Sequence, residues 1–105
     1  MEEKVKSLLG LARKAGKVVL GQVGVKNAIA KGRLSLLILA KDCSGKTGEK
    51  FLKLTKGEIA GIQIFSKEEL GKIWGKSQIG VAGVLDQKFA QALLKELKNQ
   101  ESRSI

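Results

Sequence analysis

Leu36-Leu37-Ile38-Leu39-Ala40-Lys41-Asp42-Cys43-Ser44-Gly45-Lys46-Thr47 is the stretch on which the fold turns. Leu36 to Ala40 is an unbroken apolar run of strand length, so it suits a central strand covered on both faces. Ser44 then offers a hydroxyl that can accept from a free N–H at a helix start. This helix is expected to run to about Lys56, with Gly57 as its stop. A buried strand that feeds a helix is a building unit of layered α/β folds.

The same alternation continues outward in both directions. Val5, Leu8, Leu9 and Ala12 follow i, i+3, i+4, i+7 and predict an amphipathic helix ending near Gly16. Residues 17–20 predict a short strand, and residues 22–31 a second helix with Val25, Ala28 and Ile29 at helical spacing. Beyond the central stretch, residues 62–65 predict a strand. Ser66 with Glu69 forms a capping-box pattern that opens a helix over residues 67–74. Residues 79–85 predict the last strand. Asp86 can cap a final helix with Phe89, Ala90, Leu93, Leu94 and Leu97 on one face. The order α-β-α-β-α-β-α-β-α implies a sheet covered by helices on both sides, a three-layer α/β/α sandwich. The 105 residues suffice for one domain, expected over residues 1–98, with 99–105 as a polar, frayed tail.

Charge narrows the function. Twenty Lys and Arg face ten Asp and Glu, a net +10. Residues 4–56 hold thirteen basic and two acidic side chains, whereas residues 57–105 hold seven and six. A field concentrated in this way draws polyanions and speeds their encounter. Nucleic acid is the commonest such partner, and neutralised phosphates supply most of the affinity. With no histidine and one cysteine, Cys43, the chain offers neither a disulfide nor a Cys/His metal site, so no metal, cofactor or catalysis is expected. Cys43 reads as a small residue at a strand end, with no histidine to activate it. No apolar run approaches the roughly 20 residues of a membrane span. Met1-Glu2-Glu3-Lys4 does not open a signal peptide, and the cytoplasm is the expected location. Phe51, Phe65 and Phe89 fall on core-facing positions, with Trp74 expected to be half exposed. Rings are thus too few for a stacking platform, which favours a folded RNA element over a loose single strand.

In open α/β sheets ligands collect at strand ends. Three junctions qualify. The first is Gly21-Gln22-Val23-Gly24-Val25-Lys26-Asn27, a glycine-bearing helix start with Lys31 further along. The free N–H groups of a helix start favour anions. The second is the turn over residues 41–46. The third is Gly75-Lys76-Ser77-Gln78-Ile79-Gly80, a small polar loop that can approach RNA closely and place Ile79 against an extruded base. A competing reading takes Ala40 to Thr47 as an imperfect phosphate loop, G-x-x-x-x-G-K-[ST], with Ala40 at the first glycine position. It would make the chain a nucleotide-binding protein using Lys46 and Thr47. A third reading is a module that docks on acidic protein partners.

The run Leu8-Leu9-Gly10-Leu11-Ala12-Arg13-Lys14-Ala15-Gly16-Lys17 joins several shorter signatures. These are Gly21 ahead of a basic helix, Leu39-Ala40-Lys41-Asp42-Cys43-Ser44 with Thr47, and Ser66-Lys67 through Leu70-Gly71 to Gly83. Together they resemble the bacterial YlxQ-type branch of the ribosomal protein L7Ae superfamily, from about Val5 to Leu97. The resemblance implies an α/β/α sandwich around a four-stranded mixed sheet. It also implies binding of kink-turn RNA, a sharply bent duplex with tandem sheared G·A pairs and a bulged nucleotide. It assigns groove docking to Gly21, Gln22, Val23, Gly24 and Asn27, and a contact turn to Lys41 and Asp42. Packing on the bulged nucleotide falls to Gln78, Ile79 and Gly80. The family motif is Gly-x-Asn-Glu-x-x-Lys. Here Val23, Gly24 and Asn27 stand at the Asn, Glu and Lys positions, with Lys26 adjacent. Each good bidentate base contact is worth about 1–3 kcal/mol, so direct base readout is expected to be weaker. Another structured RNA, such as rRNA on the ribosome, fits as well, with the free protein expected to be a monomer.

Overall fold

The computed structural model describes the backbone of residues 2–103 and the side chains of residues 3–98. All the expected elements form, in the expected order. They are α1 (Glu2–Lys14), β1 (Val18–Leu20), α2 (Gly21–Ala30), β2 (Leu36–Leu39), α3 (Gly45–Thr55), β3 (Gly61–Gln63), α4 (Lys67–Ile73), β4 (Val81–Val84) and α5 (Gln87–Arg103). Several boundaries shift by one or two residues: β3 ends at Gln63 where 62–65 was expected, and β4 is shorter than the expected 79–85. One end differs more. α5 continues to Arg103 through most of the stretch expected to fray. No glycine or proline interrupts it, and extending a formed helix costs little once it is nucleated. Residues 104 and 105 lie outside the described residues.

The strand order is β1-β4-β2-β3. β2 and β3 run parallel, as the intervening helix α3 requires, and the other pairs are antiparallel. The sheet is therefore four-stranded and mixed. Successive side chains of a strand point to opposite faces. Leu36, Ile38, Ala82 and Val84 pack with Val5 and Leu9 of α1, Leu70 of α4 and Leu93 of α5. Leu37, Leu39 and Val81 pack with Val25 of α2 and Phe51 of α3. Two cores on one sheet make the three-layer sandwich. β2 and β4 are buried along their whole length, which accounts for their unbroken apolar composition. Gly83 sits at the centre of β4, where a Cβ would run into the Leu34 side chain and stand 3.3 Å from Val19 Cγ2.

Trp74 corrects the expectation of half exposure. It is 9% exposed, and its indole N–H donates to the Leu9 carbonyl at 3.2 Å. The ring can go inside because its one polar atom finds a partner there. The helix starts follow the sequence signals. Thr47 N–H donates to Ser44 Oγ at 3.1 Å, and Ser66 with Glu69 closes a full capping box. Asp86 Oδ1 accepts from Lys88 and Phe89.

Candidate nucleic-acid interface

β1 passes into α2 with no intervening loop: Leu20 is the N-cap residue and Gly21, with φ +83°, is the first residue of the helix. A left-handed backbone at this corner costs an L-residue about 1–2 kcal/mol, so Gly21 has a structural reason as well. Leu20 has no side-chain acceptor, and no side-chain hydrogen bond caps the first turn of α2. This helix start lines an open cleft of about 320 Å³. Gly21 and Gln22 come from the first junction, Cys43, Ser44 and Thr47 from the second, and Gln78, Ile79 and Gly80 from the third. The three corners singled out by sequence therefore meet. Lys67, at the first position of α4, also lines the cleft. A second recess shares Gly21 and Ile79 and is flanked by Gly24, Lys76 and Arg13.

Backbone hydrogen bonds and one carboxylate hold the corners in place. Ala40 N–H donates to the Gly80 carbonyl at 2.9 Å, and Lys41 N–H to Phe65 at 2.7 Å. Phe65 itself sits at φ +61°, an unfavourable conformation for an aromatic residue that its burial and this bond hold in place. Lys67 N–H donates to Asp42 Oδ1 at 2.8 Å, and Ile79 N–H donates to the Lys67 carbonyl at 2.9 Å. Asp42 thus acts on α4 and, through it, on the Ile79 loop, and its carboxylate oxygen is already engaged. Asp42→Ala is expected to cost about 1 kcal/mol, the usual loss of a helix-start acceptor. Asp42→Asn keeps an oxygen there and should cost less. Amide hydrogen exchange at Lys67 and Ile79 should accelerate in the alanine variant first. Equal exchange in the two variants would remove the anchoring role.

The other expected residues are distributed less evenly. Val23 is 75% exposed and adds nothing to the core. A Cβ on Gly24 would meet only Val19 Cβ at 3.4 Å, an ordinary contact, so packing does not demand glycine there. Lys26 is exposed on α2, beside Lys50 of α3. The side chain of Lys26 beside Lys50, a like charge, pushes the Lys50 pKa below the ordinary lysine value. Asn27 is exposed but lines neither recess. Lys31 caps the far end of the ten-residue α2, about 15 Å along the axis from Gly21, and is not brought to the cleft. Lys41 is exposed in its turn and close enough to Glu69 to help hold that carboxyl below its usual range, after the larger effect of the Ser66 backbone hydrogen bond. Sequence reasoning missed Arg13 and Lys67. Arg13 Nη1 donates to the Val18 carbonyl at 3.1 Å, which fixes a guanidinium at the rim with donors to spare. The basic end of α1 was the available signal for Arg13, and the capping box for Lys67.

Three amides of the stretch that resembles a phosphate loop are engaged within the protein, which counts against that reading. Lys41 N–H donates to Phe65, Cys43 N–H to Ala40 at 3.3 Å and Thr47 N–H to Ser44 Oγ. Such a loop needs its N–H groups turned toward the phosphates. Among the described residues no group of His, Cys, Asp or Glu is placed to hold a metal, and no helix is long and apolar enough to cross a membrane.

A model of the ribosomal protein L7Ae/L30e/S12e/Gadd45 family matches residues 3–94. An RNA-binding protein YlxQ from Bacillus subtilis (strain 168) is 36% identical over 88 residues, covering 83% of this chain and 88% of the relative. An RNA-binding protein YlxQ from Enterococcus faecium is 30% identical over 90 residues, covering 85% and 86%. The solved structure of a protein of unknown function from Bacillus halodurans C superposes with a TM-score of 0.83 at 32% identity, covering 88% of this chain and 94% of that one.

Proposed function

This chain belongs to the ribosomal protein L7Ae/L30e/S12e/Gadd45 family, and from that premise we propose that it binds structured RNA, without catalysis, at the cleft where its three junctions meet. The observation that carries this reading is the convergence of Gly21, Ser44 and Ile79 on one cleft in a chain of net charge +10. Arg13, Lys26, Lys41, Lys67 and Lys76 supply cations around it, and the α2 start supplies free N–H groups suited to phosphate oxygens. The two relatives that carry the name RNA-binding protein YlxQ support the same reading.

The finer reading is a kink-turn-like RNA, or a segment of rRNA with the same bend, bound by a monomer in the cytoplasm. Val23, Gly24 and Asn27 replace the side chains that read guanines in the family motif. Recognition then rests on backbone shape and phosphate placement more than on base edges. The test is a salt series with a kink-turn RNA and with the same strand refolded as a plain duplex. Neutralised phosphates each add roughly 0.7 to 0.9 to the log–log slope, so a slope of about −4 or steeper is expected, with tighter binding of the bent RNA. A flat salt dependence would end the RNA reading. Equal affinity for bent and plain duplex would end the kink-turn part of it.

A further inference from the structure

We propose that Lys50, flanked by Lys46 and Lys53, forms with Lys26 a phosphate-binding stripe that carries the RNA backbone out of the cleft along the groove between α2 and α3. The proposal rests on the RNA reading above and extends it to residues outside the three junctions. Lys46, Lys50 and Lys53 are spaced i, i+4, i+7 and are all exposed, while Phe51 and Thr55 of the same helix are buried. They therefore share one solvent-facing side of α3. Gln22 of α2 and Thr47 of α3 line the cleft. Lys26 lies four residues after Gln22, and Lys50 three after Thr47, so the pair stands one helical turn further from the same cleft.

The charges around this stripe are not balanced within the protein. The ion pairs of the described residues are Lys4–Glu96, Lys6–Glu69 and Lys72–Glu68, all in the α1, α4 and α5 layer. On α2 and α3 the one carboxylate is Glu49, against Lys26, Lys46, Lys50 and Lys53. Because α2 packs beside α3, Lys26 and Lys50 stand as neighbouring like charges, and the lowered pKa of Lys50 is consistent with their repulsion. An anion seated between them relieves it. Four residues of helix rise about 6 Å, so the stripe presents charges at short, regular intervals, which suits a polyphosphate backbone better than a single ion. The stripe residues include no aromatic or arginine anchor of the kind that dominates protein–protein interfaces. That favours RNA over an acidic protein.

The test compares two triple variants with equal charge loss. Lys46→Gln/Lys50→Gln/Lys53→Gln removes the stripe, and Lys88→Gln/Lys95→Gln/Lys98→Gln removes three lysines from α5 in the opposite layer. Binding of a structured RNA is measured across a salt series, with circular dichroism to verify folding. The stripe variant should flatten the log–log slope by about 2 to 3 and lose at least tenfold in affinity, since each lost phosphate contact removes roughly one unit of slope. The α5 variant should change the slope by less than about one unit. Equal effects of the two variants would overturn the proposal, because bulk charge would then explain both. Unchanged RNA binding with lost binding of polyglutamate would also overturn it, by assigning the stripe to acidic polypeptides. Inorganic polyphosphate separates the two levels of failure. If the wild type ignores folded RNA but binds polyphosphate, and only the stripe variant loses it, the stripe stands and the RNA reading falls.

Discussion

Lys26→Glu combined with Lys41→Glu is expected to weaken RNA binding by about a hundredfold or more at moderate salt. The size follows from phosphate neutralisation. Each contact is worth on the order of 1 kcal/mol near 0.1 M salt, and reversal adds repulsion to the loss. Lys26 stands one turn along α2 from Gln22 and Lys41 two residues before Cys43, both of which line the cleft, and the two lysines are exposed. Their replacement should therefore leave the core untouched. Lys41→Glu also places a second acid near Glu69, but exposed pairs of this kind change stability little. Lys31→Glu provides the contrast. It makes a charge change of the same sign at the far end of α2 and should have a small effect. Filter binding at a fixed salt concentration decides the matter. A double variant that binds as well as the wild type would mean the RNA lies elsewhere on the molecule.

Gly71→Ala should produce the second large effect, and by a different route. Gly71 is buried in α4, and a Cβ there would stand 2.6 Å from the Lys76 carbonyl oxygen and 2.9 Å from Ser77 backbone atoms. These are backbone contacts, so no flexible side chain can yield. Lys76 N–H also donates to the Gly71 carbonyl at 2.8 Å, which ties the loop to the helix at that point. Overpacking of this kind costs about 1–3 kcal/mol, and the loop carrying Gln78, Ile79 and Gly80 must move to relieve it. We expect a lowered melting temperature and, in the folded variant, about a tenfold loss of RNA affinity, equivalent to about 1.4 kcal/mol. Gly83→Ala is the control. Its Cβ would press on Leu34 and Val19 in the core beneath α2 and cost a similar stability without touching the loop. Thermal melts followed by RNA titration at a temperature where both variants are folded separate the two. If Gly71→Ala binds RNA as well as Gly83→Ala does, the position of this loop is irrelevant to recognition.

The elements themselves were legible because their signals are local. The i, i+4, i+7 spacing of Val5, Leu9 and Ala12, the Ser44 and Asp86 caps and the Ser66–Glu69 box each operate within one or two turns of chain. The unbroken apolar run from Leu36 to Ala40 marked the central strand for the same reason, since burial on both faces leaves no polar position. The junctions of the site could also be read from the chain, because glycines and helix starts mark them.

What local signals do not carry is partnership across the chain. The strand order β1-β4-β2-β3 is not written in strands of three or four residues, whose register is set by the layers that cover them. The structural role of Asp42 was not visible in the chain, because its carboxylate accepts from an amide 25 residues away. Trp74 looked half exposed until Leu9, 65 residues distant, supplied a carbonyl for its indole. Arg13 was marked only as part of a basic helix end and Lys50 not at all, because one becomes a rim residue only when α1 ends beside β1, and the other only when α3 lies beside α2. Periodicity and capping determined the elements and their ends. Only the packing of those elements decided which side chains face the cleft, because burial and charge proximity are properties of the assembled layers and not of any single segment.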